Sequence, residues 1–370
     1  MKCSEIIKNL EDWAPKEIAW QKDNVGLQVG SANREINNIL LCLELTSNVI
    51  DEAVEKNCNL IISHHPLLFH PLKKVDLQKD KNSKLLEKLI KREINLYSEH
   101  TNLDFTRDGV SFELAKTLEL KNLSFLVVQD SNQYKLVLFV PQTHLQQVSD
   151  AIFNAGGGLI GEYSNCSFKA KGESTFLGSK NSNPSAGRKE NLETVEEYRL
   201  EIIFNSWNLN SIIQVIKKKH PYEEPAFDIY PLKNQDSNYG AGAIGELENF
   251  MSPDEFLLHV SKKLCLKGFR YTKGKNVKIK KVALCGGSGG EFLPDAIKSG
   301  ADAYITADIK YHDFHEAADE IFLIDAGHYE TEIHSLNEVE RRLKSFLGGN
   351  TNCKVFKFSK STNPIIFYNN

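Results

Sequence analysis

The hydrophobic and polar positions of the first 120 residues alternate between a helical and a strand period. Ile6, Leu10 and Trp13 recur at the spacing of one helix face within residues 3–13. Continuous apolar runs predict buried strands at 38–45, 60–63 and 94–98, and helix-spaced runs predict helices at 47–57, 82–92 and 110–118. This β-α-β rhythm favours a mostly parallel or mixed sheet with helices on both faces.

The rhythm changes near residue 133. The pattern there predicts strands at 134–140, 162–169, 172–177, 195–204 and 226–231, with helices at 143–154 and 209–219. The order β-α-β-β-α-β is typical of a ferredoxin-like α+β module. The polar stretches 178–192 and 233–239 are interpreted as a surface loop and a linker.

The α/β rhythm returns after residue 240. Strands are predicted at 243–247, 281–285, 303–306, 322–325 and 353–358, and helices at 252–264, 291–299, 310–318 and 328–346. We therefore predict a three-layer αβα host domain made of residues 1–130 and 238–370, with a mostly parallel or mixed sheet. An inserted α+β module at 133–235 splits this host domain.

The composition narrows the class of protein. A length of 370 residues is enough for two domains, and a net charge of −4 gives no basic surplus for a nucleic-acid surface. No apolar stretch approaches the roughly 18 residues of a membrane span, and residues 1–5 do not begin a signal peptide. The seven cysteines are scattered without a C-x-x-C pair, which favours reduced thiols and a cytoplasmic location.

Three segments with metal-ligand side chains each follow a predicted strand. They are His64 and His65 before Pro66, then His100 with Asp104, then His328 with Glu332. The last pair is spaced i, i+4 on one predicted helix, so both side chains share a face. Five such ligands are too many for one open tetrahedral site and suit two ions about 3.5–4 Å apart. Glu332 is the candidate bridging carboxylate.

Each segment also has a simpler interpretation. One histidine of the 64–65 pair can be packed and the other exposed, and His100 with Asp104 can cap a loop. A histidine and a glutamate at i, i+4 are commonly the solvated face of a helix.

Six motifs together resemble the signatures of the GTP cyclohydrolase I type 2 family, also called the Ngg-interacting-factor-three-like family. The resemblance covers nearly the whole chain, and the combination is specific although no single piece is. The motifs are DNVGLQ at 23–28, SHHP at 63–66, HTNLD at 100–104, CGGSG at 285–289, DIKYH at 308–312, and GHY at 327–329 with Glu332.

The resemblance implies a dinuclear metal centre in a homohexameric toroid whose sites face an internal cavity. It implies two divalent ions per chain, of zinc, iron, manganese or a similar metal. The ligands would be His64, His65, Asp104, His328 and Glu332. His100 lies close in the pattern and would orient a ligand or move a proton.

Residues 133–235 resemble the module inserted in longer bacterial members, which is similar to the trimer-forming PII and CutA folds. Its marks include AGGG at 155–158 and HPYEEPA at 220–226. His220, Glu223 and Glu224 suggest a second metal or ligand site, or else a turn with a helix cap.

The family name implies hydrolytic opening of the GTP imidazole ring with release of formate, or action on a related nucleotide. Gly287, Ser288 and Gly289 precede a helix and are candidate phosphate contacts, although a tight packing turn explains them equally well. Lys310 and His312 are candidate contacts for an anionic substrate, or surface residues. A non-catalytic metal-binding or regulatory toroid whose insert senses a ligand is the alternative, and a scaffold with structural metals is a third.

Overall fold

The computed structural model describes residues 1–130, 132–161, 163–275, 277–349 and 352–368. The chain divides into two compact units, of which unit 1 comprises Met1–Val128 with Tyr239–Asn370 and unit 2 comprises Gln129–Asn238. Among the described residues, no helix is both long and apolar enough to cross a lipid bilayer.

The first segment of unit 1 alternates strands and helices. Its elements are α1 (Cys3–Trp13), β1 (Gly26–Val29), β2 (Ile39–Cys42), α2 (Ser47–Glu55), β3 (Leu60–Ser63), α3 (Lys81–Lys91), β4 (Asn95–Ser98), α4 (Thr101–Asp104), α5 (Val110–Thr117), β5 (Lys121–Ser124) and β6 (Val127–Asp130). Side chains cap several of these helices. Thr46 accepts a hydrogen bond from the Val49 amide at the start of α2, and Asp80 accepts one from Ser83 at the start of α3.

Unit 2 follows a β-α-β-β-α-β order. Its elements are β7 (Gln133–Pro141), α6 (Leu145–Asn154), β8 (Phe168–Leu177), β9 (Leu192–Asn205), α7 (Leu209–Lys219) and β10 (Phe227–Pro231), and the chain then enters β11 (Gln235–Ala241). The four strands β10-β7-β9-β8 form one antiparallel sheet in that order. The likeness of this unit to PII and CutA stays a prediction.

The last segment returns to unit 1. Its elements are β12 (Ala243–Met251), α8 (Pro253–Lys263), β13 (Arg270–Thr272), β14 (Ile279–Ser288), α9 (Leu293–Lys298), β15 (Ala303–Ala307), α10 (Tyr311–Ala317), β16 (Phe322–Asp325), α11 (His328–Glu332), α12 (Ser335–Leu347) and β17 (Val355–Lys357). A capping box between Ser252 and Glu255 starts α8, with Pro253 in its first turn.

The first sheet of unit 1 has the order β1-β4-β3-β2-β17, in which β1 alone is antiparallel to its neighbour. Alternate side chains of β2 enter different cores because successive residues of a strand point to opposite faces. Leu41 packs with residues of α1 and α12, whereas Leu40 packs with residues of α2 and α3. Burial on both faces explains why these strands are continuously apolar.

A second sheet of unit 1 has the order β13-β16-β15-β14-β12-β5. The strands β14, β15 and β16 are parallel, and the outer strands run antiparallel to their neighbours. One face packs on α5 and α8 through residues such as Leu284, and the other packs on α9 and α10 through residues such as Tyr304. The prediction of a mixed α/β fold is confirmed, although the host sheet is two sheets.

Three local predictions were wrong. The polar stretch 233–239, interpreted as a linker, contains most of β11, because backbone pairing with β6 forms a strand without an apolar pattern. The single helix predicted at 328–346 is two helices, α11 and α12, interrupted at Ile333 and His334. The two strands predicted at 162–169 and 172–177 are one continuous strand, β8, at Phe168–Leu177, and residue 162 lies outside the described residues.

Candidate metal centre

Strand ends and short helices that follow strands of both sheets of unit 1 bring the predicted ligands together. His64 and His65 directly follow β3, and their amides continue its ladder by donating to the carbonyls of Cys42 and Leu43 at 3.1 and 2.9 Å. His100 precedes α4, which ends at Asp104, and His328 and Glu332 are the two ends of α11. The sites follow the carboxyl ends of parallel strands, where open α/β sheets bind their ligands.

The five residues predicted as ligands lie together around the Glu332 carboxylate. Its Oε1 is 2.9 Å from His328 Nε2 and 3.7 Å from His64 Nε2, and its Oε2 is 3.2 Å from His65 Nε2. His64 Nε2 also lies 3.6 Å from Asp104 Oδ1. One ligand atom from each of His64, His65 and His100 lies within 4.8 Å of the others, so His100 faces the same cluster.

Every imidazole of the cluster has an acceptor for its Nδ1 on the side away from Glu332. The partners are the Glu99 carbonyl for His64 (2.8 Å), Glu44 Oε1 for His65 (3.2 Å), Asp308 Oδ2 for His328 (2.6 Å) and both Asp23 carboxylate oxygens for His100 (2.9 Å). An Nδ1–H that donates outward leaves the Nε2 lone pair free to bind a cation. These acceptors therefore orient the rings for metal binding.

The unpaired atoms of the cluster fit a metal. His64 Nε2, Asp104 Oδ1 and Glu332 Oε2 are buried without a hydrogen-bond partner. Such atoms cost free energy unless something satisfies them, and a cation at this position would satisfy all three. Gly287 at φ +64° leaves room, since a Cβ there would lie 2.2 Å from Glu332 Oε1. Imidazole nitrogens and carboxylate oxygens are the donors that zinc and similar divalent ions prefer.

The cluster shifts the pKa values of its own members in opposite directions. Burial acts to raise the pKa of Glu332, but the adjacent imidazoles outweigh it and hold that pKa well below its usual range. Burial and the Glu332 carboxylate raise the pKa of Asp104 well above its usual range. Burial opposes a charge on His65 and His328, yet Glu332 with Glu44 or Asp308 raises their pKa values to about 10 and about 9.

His100 and Asp23 form a half-buried pair beside the cluster. Asp23 accepts hydrogen bonds from the His100 ring and from the Thr101 amide. Burial acts to raise the pKa of Asp23, but these bonds lower it to about 2. An ionised Asp23 holds the His100 proton on Nδ1, so the other ring nitrogen is free to accept a proton.

The glycine loop predicted to contact phosphate has its amides engaged elsewhere. Gly287 donates to Thr331 Oγ1 at 3.0 Å, and Gly289 donates to Thr306 Oγ1 at 2.9 Å. The loop would have to give up these bonds to bind phosphate, so this contact stays a prediction. Ser288 lines the cavity beside the cluster. Lys310 and His312 are exposed at the start of α10, and their contact with substrate also stays a prediction.

A cavity of about 100 Å³ opens beside the cluster. Its aromatic walls include Trp20, Phe105 and Phe292, and the rings of Trp20 and Phe105 are 5.7 Å apart. Among the described residues that line it, none is lysine or arginine. The cavity therefore suits a small or planar group of low charge next to the candidate metal ligands.

Residues 1–364 match the model of the Duf34/NIF3 (NGG1p interacting factor 3) family. This chain belongs to the Duf34/NIF3 family. Two relatives, from Halalkalibacterium halodurans and Bacillus subtilis, are each 37% identical over 98% of both chains, and each is named GTP cyclohydrolase 1 type 2 homolog. A Bacillus cereus protein related to NIF3 superposes with a TM-score of 0.86 at 36% identity, covering 100% of this chain and 99% of its own.

The resemblance predicted from the motifs is thus confirmed. Sequence reasoning nevertheless missed the carboxylates that orient the rings of this Duf34/NIF3 chain. Glu44 and Asp308 each follow a strand end by one or two residues, as the histidines do, and that position was a signal for them. Asp23 belongs to a quoted motif, but nothing local pairs it with His100, 77 residues away.

Proposed function

We propose that this chain is a metal-dependent hydrolase with a dinuclear centre, acting on GTP or a related nucleotide. The observation that carries the proposal is the cluster of His64, His65, Asp104, His328 and Glu332, which includes three buried atoms without hydrogen-bond partners. The name of the relatives, GTP cyclohydrolase 1 type 2 homolog, supports opening of the imidazole ring with release of formate.

Two ions account for the number of ligands better than one. Catalytic zinc sites usually have three protein ligands and one open position, whereas five side chains converge here. His64 with Asp104 would hold one ion, His65 with His328 the other, and Glu332 would bridge them. Divalent ions at this position supply Lewis acidity, which activates water and polarises the bond that breaks.

The remaining groups of the site support hydrolysis. His100, with its proton fixed on Nδ1 by Asp23, is placed to accept a proton from the nucleophile and to return it to the leaving group. Trp20 and Phe105 form an apolar wall on which a heterocyclic ring can stack.

The test is formate release from GTP and from a panel of nucleotides and nucleosides, using fully metallated protein. We expect His100→Gln to retain metal and lose about 10²-fold or more in turnover, since general acid–base catalysis contributes that much. His70→Gln, which changes an exposed histidine, is the matched control. Absence of formate from every substrate would refute the hydrolase assignment.

A non-catalytic metal-binding or regulatory protein is the second candidate. The observation that favours it is the size of the cavity, about 100 Å³, together with the lack of lysine and arginine among its described lining residues. A triphosphate normally meets basic side chains or free amides. In this alternative the same assay yields metal binding without turnover.

We further propose a cytoplasmic homohexamer assembled through a trimer-forming unit 2. The support for the assembly is the motif resemblance, and the support for the compartment is that all seven cysteines are free thiols. Light scattering should give about six times the chain mass of 41.8 kDa. A monomer or dimer at micromolar concentration would contradict the assembly.

A further inference from the structure

We propose that unit 2 binds a small organic cation, an ammonium group on an apolar body, in a cleft of about 490 Å³. This site is separate from the candidate metal centre and does not depend on the hydrolase proposal. A volume of this size is within the range of small-molecule sites.

The cleft lies on the face of the unit 2 sheet that its helices leave open. Leu138 of β7 and Leu200 of β9 pack with residues of α6 and α7. Phe139 is next to Leu138 in β7, and Glu197 is three residues before Leu200 in β9. Because side chains alternate along a strand, both point to the opposite face, where they line the cleft. The loop 178–186 and residues 222–226 form walls around them.

A buried carboxyl group faces this cleft with one oxygen unpaired. Glu197 is 4% exposed, and its Oε1 has no hydrogen-bond partner. Tyr222 lines the same cleft. Burial and the neighbouring Glu197 carboxyl raise the pKa of Tyr222, which keeps its hydroxyl a neutral donor. Since a buried acceptor without a donor costs free energy, the cleft favours a ligand that brings an N–H donor.

The charge and shape of the cleft select a cation. Its described lining residues include three acids, Glu197, Glu223 and Glu224, and neither lysine nor arginine. An anion would therefore be repelled. The rings of Phe139, Phe176 and Tyr222 also line the cleft, and aromatic faces attract ammonium groups.

An organic cation fits better than a metal ion because two of the three residues that the sequence suggested as metal ligands, His220 and Glu223, are engaged in hydrogen bonds. His220, suggested by the sequence as a ligand, donates through Nε2 to the Phe139 carbonyl (2.8 Å) and accepts the Tyr222 amide at Nδ1 (3.2 Å). Glu223 Oε1 accepts the Asn183 amide at 2.8 Å. His220 thus positions Tyr222, and both of its ring nitrogens are occupied.

The test is calorimetric titration of the full-length protein with phenethylammonium and with hexylammonium. We expect saturable binding of both amines and about tenfold or more weaker binding of 2-phenylethanol, the neutral isostere. Glu197→Gln should weaken amine binding about tenfold or more. Glu196→Gln, which alters an exposed residue paired with Lys171 at 2.9 Å, is the matched control and should bind normally.

Three outcomes would overturn the proposal. They are equal binding of the amine and the alcohol, unchanged amine binding in Glu197→Gln, and saturable binding of Mn²⁺ but of neither amine. Thermal melts establish that each variant is folded. If Glu197→Gln does not fold, Val195→Trp replaces it, because a larger side chain at this cleft position must block the amine if the site is correct.

Discussion

Loading the metal-free protein with zinc at pH 7 should release about one to three protons per chain. A zinc ligand must be a neutral imidazole or an ionised carboxylate. In the metal-free chain, burial acts to lower the pKa values of His65 and His328, but the neighbouring carboxylates outweigh it. Glu332 and Glu44 raise the pKa of His65 to about 10, and Glu332 and Asp308 raise the pKa of His328 to about 9. Because the two Nε2 atoms lie only 3.3 Å apart, the rings compete for protons, and at least one of them is protonated at neutral pH. Metal binding must displace that proton.

The number of protons released follows from these pKa values. A group with a pKa two units above the solution pH is about 99% protonated, so the contacting pair of His65 and His328 contributes between about one and two protons. Asp104, whose pKa burial and Glu332 raise well above the usual range, contributes up to one more. The release should shrink as the pH rises through about 9 to 10, because the free histidines then lose their protons before metal arrives.

The assay is calorimetric titration of zinc in three buffers that differ in ionisation enthalpy, from which the slope gives the number of protons released. His328→Gln should release about one proton fewer, whereas His70→Gln, an exposed control, should match the parent. Binding of zinc with no proton release at pH 7 would refute the ligand assignment, because the metal would then displace no proton from either histidine.

Three further predictions address the ligands, the outer pairs and the core. Elemental analysis should show that Glu332→Ala loses most of the metal, about two ions per chain in the parent, while circular dichroism shows an intact fold. Retention of both ions would exclude a bridging role. The pKa of Asp23 is about 2 in the folded protein against 3.8 in the unfolded chain, so its ionised form adds about 2 kcal/mol to the free energy of unfolding above pH 4. This contribution is lost as the pH falls toward 2. In urea titrations, the stability of Asp23→Asn should therefore approach that of the parent in acid. Leu41→Ala in the core should cost about 2–5 kcal/mol, and Ile90→Ala, 61% exposed, less than about 0.5 kcal/mol by the same method.

The strands with continuous apolar runs were predictable because a strand that is buried on both faces must be apolar at every position. β3 and β16 have the predicted bounds, and β2 begins one residue after its predicted start and ends three residues before its predicted end. Weakly patterned strands were missed. β5 pairs only at the edge of its sheet, and its residues KNLS are largely exposed, so no periodicity distinguishes it from a loop.

The sequence by itself determined the ligand types and the secondary structure that carries them. His328 and Glu332 share one face of a helix, so short-range geometry already points that pair in one direction, and His64 and His65 follow a buried strand. The tertiary structure decided which atoms meet. The 3.2 Å approach of His65 to Glu332 joins residues from separate segments, and the turning of the glycine amides toward Thr306 and Thr331 depends on neighbouring elements. Local periodicity records which face of an element is buried, but it carries no information about the distant side chain that the buried face will touch.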